Sequence, residues 1–427
     1  MTKSKALSKL KWPRRLAATA SALWFGMQLF LFLSATASVQ AQTLTVLYAF
    51  RGHGDGAKPS VGLVRDSIGN LYGTTFFGGS FREGAIFEVD AHGKETVLHS
   101  FWGGDGWYLT GALIRDHTGA LYGNASAGGM PEGGTCTEHG CGAVFKVDRE
   151  GRETTVYAFP RIADGWSPDG NLARDESGNL YGVTAGGGDT GAGCGPSGCG
   201  IVFEVDTKGK KSTLYAFTNS PDGEEPEGGL IRDQSGNLYG TTRYGGTSNC
   251  GGWGCGTVFK VDAKGNETVL YSFTGAADGM WPYGPLAIDN SGNLYGPSSF
   301  PNGSDYNLIF KLDTTGKFTI LHTFKGGTDG RWPEGGLLLD KLGNLLGTTG
   351  DGGSTGCGGD GCGTIFKLDA HGTKTLLYSF TGGQDGVGPN GGLIMDSSGN
   401  LYGTTYVGGD SSCGQGTGCG VVFKLTP

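Results

Sequence analysis

One short string, recurring at near-constant spacing, restricts this chain to a small set of folds. Leu-Tyr-x-Phe, or a close variant, stands at 47–50, 156–159, 214–217, 270–273 and 377–380, and with His for Tyr at 98–101 and 321–324. An Asp-Gly follows each copy, at Asp55, Asp105, Asp164, Asp222, Asp278, Asp329 and Asp385. Successive aspartates are 50, 59, 58, 56, 51 and 56 residues apart. A fixed period of this size means a chain of stacked supersecondary units, a solenoid or a propeller.

The unit is all-β. In the copy spanning 283–324, residues 284–288 are a short apolar strand ending at Asp289, and Asn290-Ser291-Gly292-Asn293 is a turn. A second strand starts at Leu294-Tyr295-Gly296, a Gly/Ser-rich loop leads to a third at 308–312, and a turn at Thr314-Thr315-Gly316 leads to a fourth at 318–324. No stretch of the unit keeps a 3.6-residue apolar period. Four strands in about 50 residues, seven times over, predict a seven-bladed β-propeller of antiparallel four-stranded blades. The third strand carries a Phe in every copy (Phe87, Phe145, Phe203, Phe259, Phe310, Phe366 and Phe423), which is expected between blades. The repeating body opens with a lone fourth strand at 44–50 and finishes with a third strand at 421–425. Pairing the two completes the last blade and leaves no open inner edge. Units are expected at 42–60 (the closing strand), 61–101, 110–159, 169–217, 227–273, 283–324, 334–380 and 390–427.

Residues 1–41 read as a targeting leader. Lys3, Lys5, Lys9, Lys11, Arg14 and Arg15 precede an apolar run, and small residues lead to Val39-Gln40-Ala41. That order is a signal peptide cleaved after Ala41; an uncleaved anchor is the rival reading. Either way the body lies outside the cytoplasm, secreted or periplasmic. Without the leader, 26 basic residues of the 32 remain against all 40 acidic ones, a net charge of −14. Such a body repels phosphate backbones, so nucleic acid is excluded as a partner, and so is membrane beyond a retained anchor. The 86 glycines raise the question of low complexity, but they recur in register with the strands.

The repeated string Asp-x-x-Gly-Asn-Leu-Tyr-Gly-Thr-Thr, then Gly-Gly, then Gly-x-Val-Phe-Lys-Val-Asp, resembles the GloVer tandem-repeat proteins, the choice-of-anchor family. The resemblance covers nearly all of the chain after the leader. It implies an exported propeller, often tethered at its C-terminus; this chain stops at Pro427 directly after its last strand, so an untethered protein is expected. The family implies no activity.

Ten cysteines form five close pairs, Cys136/Cys141, Cys194/Cys199, Cys250/Cys255, Cys357/Cys362 and Cys413/Cys419, each between strands two and three. In an oxidising compartment each pair is expected to be a local disulfide. Zinc is the alternative, but one pair supplies two ligands and loops of separate blades would have to meet.

The connections from strand four to the next strand one, and from two to three, share a face and are long; the opposite hairpins are short. Binding is expected on the long loops. All six tryptophans beyond the leader fall in those connections, and Trp107, Trp166, Trp253, Trp281 and Trp332 are the candidate ligand contacts, suited to stacking on sugar rings. Packing over the prolines that follow them, such as Pro168 and Pro333, is the competing role. The Asp-Gly aspartates are expected to cap turns, although the cluster Asp222, Glu224, Glu225 and Glu227 also admits a bound cation. No catalytic constellation stands out, and no cofactor is expected. The reading is a monomeric binding or interaction propeller, with an extracellular glycan or a protein as partner. A polysaccharide lyase or glycoside hydrolase using loop carboxylates, and a cell-surface scaffold, are the alternatives.

Overall fold

The computed structural model describes residues 42–59, 61–129, 136, 140–188, 191, 193–299, 307–353 and 356–427; the expected leader and its cleavage point lie outside them. Seven antiparallel sheets follow one another along the chain. Blade one is Val64–Arg65, Leu71–Thr75, Ala85–Val89 and Glu95–Ser100, and each later blade repeats that order. Blade seven is Ile394–Met395, Leu401–Thr405, Val421–Thr426 and, as its outer strand, Thr43–Ala49 from the other end of the chain. Thr43 pairs with Thr426 and Ala49 with Val421, so the expected closure is present. Apart from four single-turn 3₁₀ segments, the described residues contain no helix.

Aromatic pairs set the distance between blades. The Phe after each outer strand meets the third-strand Phe of the next blade edge to face: Phe101 on Phe145, Phe159 on Phe203, Phe217 on Phe259, Phe273 on Phe310, Phe324 on Phe366 and Phe380 on Phe423. Phe50 on Phe87 closes the circle, and all seven centroid distances lie between 5.0 and 5.6 Å. Each such pair is worth about 0.5–1.5 kcal/mol beyond its buried area.

The repeated polar residues clasp the turns. Asp289 Oδ1 accepts the amides of Ser291 and Asn293, while Oδ2 accepts Asn293 Nδ2 at 2.7 Å and the Tyr295 hydroxyl at 2.9 Å. Burial works against the Asp289 charge, but these hydrogen bonds outweigh it and hold the carboxyl below its usual range. On the other face, the Asp-Gly aspartates cap their loops as expected, and they are also anchored from behind. Tyr48, Tyr215, Tyr271 and Tyr378 donate to the Asp seven residues on, while His99 and His322 take that place in two blades. That contact explains why Tyr or His stands in the repeated tetrapeptide.

One expectation is corrected. The glycine-rich inner segments were read as short strands such as 284–288, yet in most blades only two residues pair, as at Ala287–Ile288. Near the axis, backbone packs directly on backbone of the next blade: a Cβ at Gly111 would stand 2.2 Å from the Gly170 carbonyl oxygen. That crowding leaves no room for a regular ladder.

Three blade junctions set carboxyls against each other, and in one of them, Glu153 beside Asp105, His99 stands by as well; the other two lack such a partner among the described residues. Glu95 lies beside Asp55 and Tyr48, and Glu267 beside Asp222 and Tyr215; Glu95 Oε1, Asp55 Oδ1 and Glu267 Oε1 are buried without a hydrogen bond among the described residues. Burial, helped by the neighbouring aspartate, pushes both glutamates to about 7. At the corresponding place elsewhere, Lys211 donates to the Asp164 carbonyl at 2.7 Å, and Lys374 pairs with Asp329 at 2.9 Å.

Two outcomes follow from these junctions. Phe50→Ala and Phe145→Ala should each cost about 3–5 kcal/mol in urea unfolding; a much smaller cost at Phe50 would mean that the ring is not closed there. The raised glutamates favour the fold fully below the unfolded value of about 4.3, and that contribution is lost as pH rises through about 7. The melting temperature should therefore fall between pH of about 5.5 and about 8, and the Glu95→Gln/Glu267→Gln double variant should flatten that slope. An equally steep slope in the variant contradicts the assignment.

Candidate functional site

Each Asp-Gly begins the same local structure, Asp-Gly-x-x-Pro-z, with Leu109 for Pro in blade two. The residue before the Pro position is left-handed in every blade: Lys58, Tyr108, Ser167, Glu225, Trp281, Trp332 and Gly388 have φ between 50° and 65°. Six of the seven are not glycine, and each such residue costs of order 1–3 kcal/mol unless its surroundings fix it. The preceding blade supplies the fixing bond. Lys58, Ser167, Glu225, Trp281 and Gly388 donate their amides to the carbonyls of Cys419, Cys141, Cys199, Cys255 and Cys362 at 2.8–3.1 Å. Blade five has no Cys, and there Trp332 donates to Asn307 Oδ1 at 3.1 Å.

The disulfides therefore brace the ring. All five expected pairs are bonded, with Cα separations of 4.9–5.6 Å. The backbone at one backbone position is identical, while the side chain it presents differs in nearly every blade.

Those side chains form aromatic shelves. Lys58 Nζ lies 5.4 Å from the Phe77 ring and 4.9 Å from the Tyr406 ring. Tyr108 stacks on Trp107 at 4.4 Å and lies 4.8 Å from Phe76. Across blades four and five, Tyr244 sits 5.9 Å from both Trp253 and Trp281, with Arg243 over its face at 5.1 Å.

Two residues further on, the z position turns to the axis. Thr110, Asp169, Glu227, Glu334 and Asn390 line one cavity of about 320 Å³ whose wall draws on all seven blades. Tyr283 holds this position in blade five, where its hydroxyl accepts Asn307 Nδ2 at 2.9 Å. Asp169 keeps some solvent contact through the channel yet is hemmed in on nearly every side. Burial, then the charge of Glu227, pushes its carboxyl up to about 7. Burial and then Asp351 raise Glu334. Glu227 pairs with Arg243 at 3.3 Å.

The five candidate tryptophans are not one patch. Trp253 (61% exposed) and the half-buried Trp281 share the Tyr244 cluster, and Trp281 Nε1 donates to the Gly254 carbonyl. Trp107 belongs to the opposite shelf. Trp166 (38% exposed) and Trp332 (47%) make no ring contact among the described residues. Trp107 and Trp166 open strands, the three-residue Trp107–Leu109 and the nine-residue Trp166–Arg174, and are not loop residues as read from the sequence. The prolines pack on the preceding blade, Pro168 at Gly142 and Pro389 at Gly363.

In the acidic cluster, Asp222 is held by Tyr215 and Thr218, Glu224 by Asn219 and Glu227 by Arg243. Among the described residues no three His, Cys, Asp or Glu are placed to hold a metal ion. Sequence reasoning singled out Glu227, as part of the acidic cluster, and missed the other axial residues. Their signal was available: aligned on Asp-Gly, the z position is polar in every repeat and varied in kind.

The model of the Gloeobacter/Verrucomicrobia repeat matches residues 34–194 and 136–359. The chain belongs to that family. This Gloeobacter/Verrucomicrobia repeat protein is also similar in fold to the extracellular domain of a hybrid two-component system from B. thetaiotaomicron. The TM-score is 0.56 at 12% identity, covering 89% of this chain and 39% of that one, so the chain spans well under half of that domain. A gluconolactonase from Xanthomonas campestris matches with 13% identity over 90% of this chain and 89% of that one, at a TM-score of 0.43, too distant to bear on function. No curated protein matches the sequence.

Protein made under oxidising conditions should show no free thiol, and peptide mapping should join each Cys to its near neighbour. A cross-blade bridge or stoichiometric zinc would contradict the pairing.

Proposed function

We propose that this chain is an exported binding propeller that takes an extracellular glycan at the loop-rich mouth of its axial channel. One observation carries the reading: a repeating frame presents non-repeating side chains at the same two positions along the blades, and five residues at the second position line one cavity. Positions that a repeat needs for folding recur, as the Phe pairs and Asp clasps do. Positions that vary while facing a shared cavity are free to serve a ligand. Aromatic faces at the rim with carboxylates and amides below suit a sugar, whose ring stacks while its hydroxyls bond. Export is supported by the leader and by five disulfides.

A polysaccharide-cleaving enzyme is the second reading, and one feature favours it. Asp169, raised to about 7 by burial and then by the charge of Glu227, is a carboxyl suited to act as a general acid, with a second carboxyl beside it.

A glycan array, followed by a product assay on whichever glycan binds, separates the two. Trp253→Ala or Trp332→Ala should weaken binding by about 1 kcal/mol or somewhat more without unfolding the protein. Unfolding with unchanged affinity would make them packing residues and remove the aromatic support. Release of shortened products, abolished by Asp169→Asn while binding persists, would establish the enzyme.

A further inference from the structure

The z-position acids are not needed by the propeller. Blades two, five and seven put Thr110, Tyr283 and Asn390 at the same place on the same backbone, so the fold accepts neutral residues there. Yet blades three, four and six put Asp169, Glu227 and Glu334, each partly buried, into one shared cavity. None of the residues lining that cavity is Lys, Arg or His. Buried carboxylates are ordinarily paired, because an unpaired one costs several kcal/mol by order of magnitude.

Two of these three are left uncompensated. Asp169 Oδ1 accepts the adjoining Gly170 amide at 2.6 Å, Thr110 is the side chain that bonds its carboxyl, and no cation among the described residues stands beside it. The Glu334 carboxyl has neither a hydrogen bond nor an ion pair among them. The throat thus holds unspent acceptors and excess negative charge.

We infer that the axial throat is a subsite for a positively charged amino group at the end of the ligand that enters the channel. The inference rests on the reading above for where the ligand enters, and not for its being a sugar. An ammonium brings three donors and one positive charge, which is what two carboxylates with no cation beside them lack. A hydroxyl or an acetamide would donate without relieving the charge. A bare metal ion fits less well, because no three carboxylate, His or Cys groups among the described residues are placed to share one. The cavity, at about 320 Å³, lies at the small end of ligand sites, which run roughly 300–1,000 Å³, and admits a terminal group. The acidic body adds a long-range pull on cations.

The test is titration calorimetry of the exported protein at neutral pH and low salt with three probes: a glucosamine tetramer, its N-acetylated counterpart, and spermidine. The glucosamine tetramer should bind about tenfold tighter than the acetylated one, the gain expected of one charged hydrogen bond. Asp169→Asn and Glu334→Gln should each erase most of that preference without lowering the melting temperature, since both remove an unpaired charge. If the pair of changes together prevents folding, the single variants carry the comparison. Equal affinity for the two tetramers, or a preference that survives both changes, overturns the inference and leaves the glycan reading standing. Spermidine binding that is lost in the variants, with neither sugar bound, upholds the inference and overturns the glycan reading. No binding by any of the three probes overturns the inference.

Discussion

The edge-to-face contact between two phenylalanines, made seven times around a circle, is the interaction on which the rest of the molecule depends. One ring ends an outer strand and the other sits in the third strand of the next blade, so each contact is also a ruler between blades. With that separation fixed, the glycine-rich inner segments are brought close enough to pack backbone on backbone. The loops above them then reach the preceding blade's Cys carbonyl, which locks the left-handed residue at the mouth. Geometry at the mouth is inherited from hydrophobic packing about a blade's width away.

Because frame and face are handled by different residues, the two can vary independently. The Asp clasps, the Phe pairs and the Tyr–Asp anchors absorb the backbone's demands in nearly every repeat. The left-handed and z positions then carry Lys, Tyr, Ser, Glu, Trp or Gly, and Thr, Asp, Glu, Tyr or Asn, without disturbing the ring. This division is what a repeat architecture makes available: stability is spread over equal interfaces, while specificity gathers at the few positions released from them.

Most of the fold was legible because it is periodic. Blade number, closing strand, disulfide pairing and the inter-blade Phe could all be read by asking what recurs. Two things resisted that question. The inner strands looked longer than they are, since apolar pattern says nothing about how near the axis a backbone must pass. Two of the axial acids went unnoticed for the opposite reason: Asp169 and Glu334 matter because they do not recur, and a search for repetition discards them; Glu227 was noticed only as part of a local acidic cluster. The tryptophans drew attention by residue type, yet Trp281 is half spent on packing and Trp107 on Tyr108.

The pairing of Thr43 with Thr426 has a consequence in time as well as in space. The first strand of the propeller to be made must wait for the last before it finds a partner, nearly the whole chain later. Until then blade seven lacks its outer strand, Phe87 lacks Phe50, and the circle is a horseshoe with two raw flanks. Joining such distant segments carries the loop-closure entropy of the full chain, so the step is slow, and cooperative once taken. The same latch that makes the finished ring hard to open leaves the nascent one exposed longest at its seam.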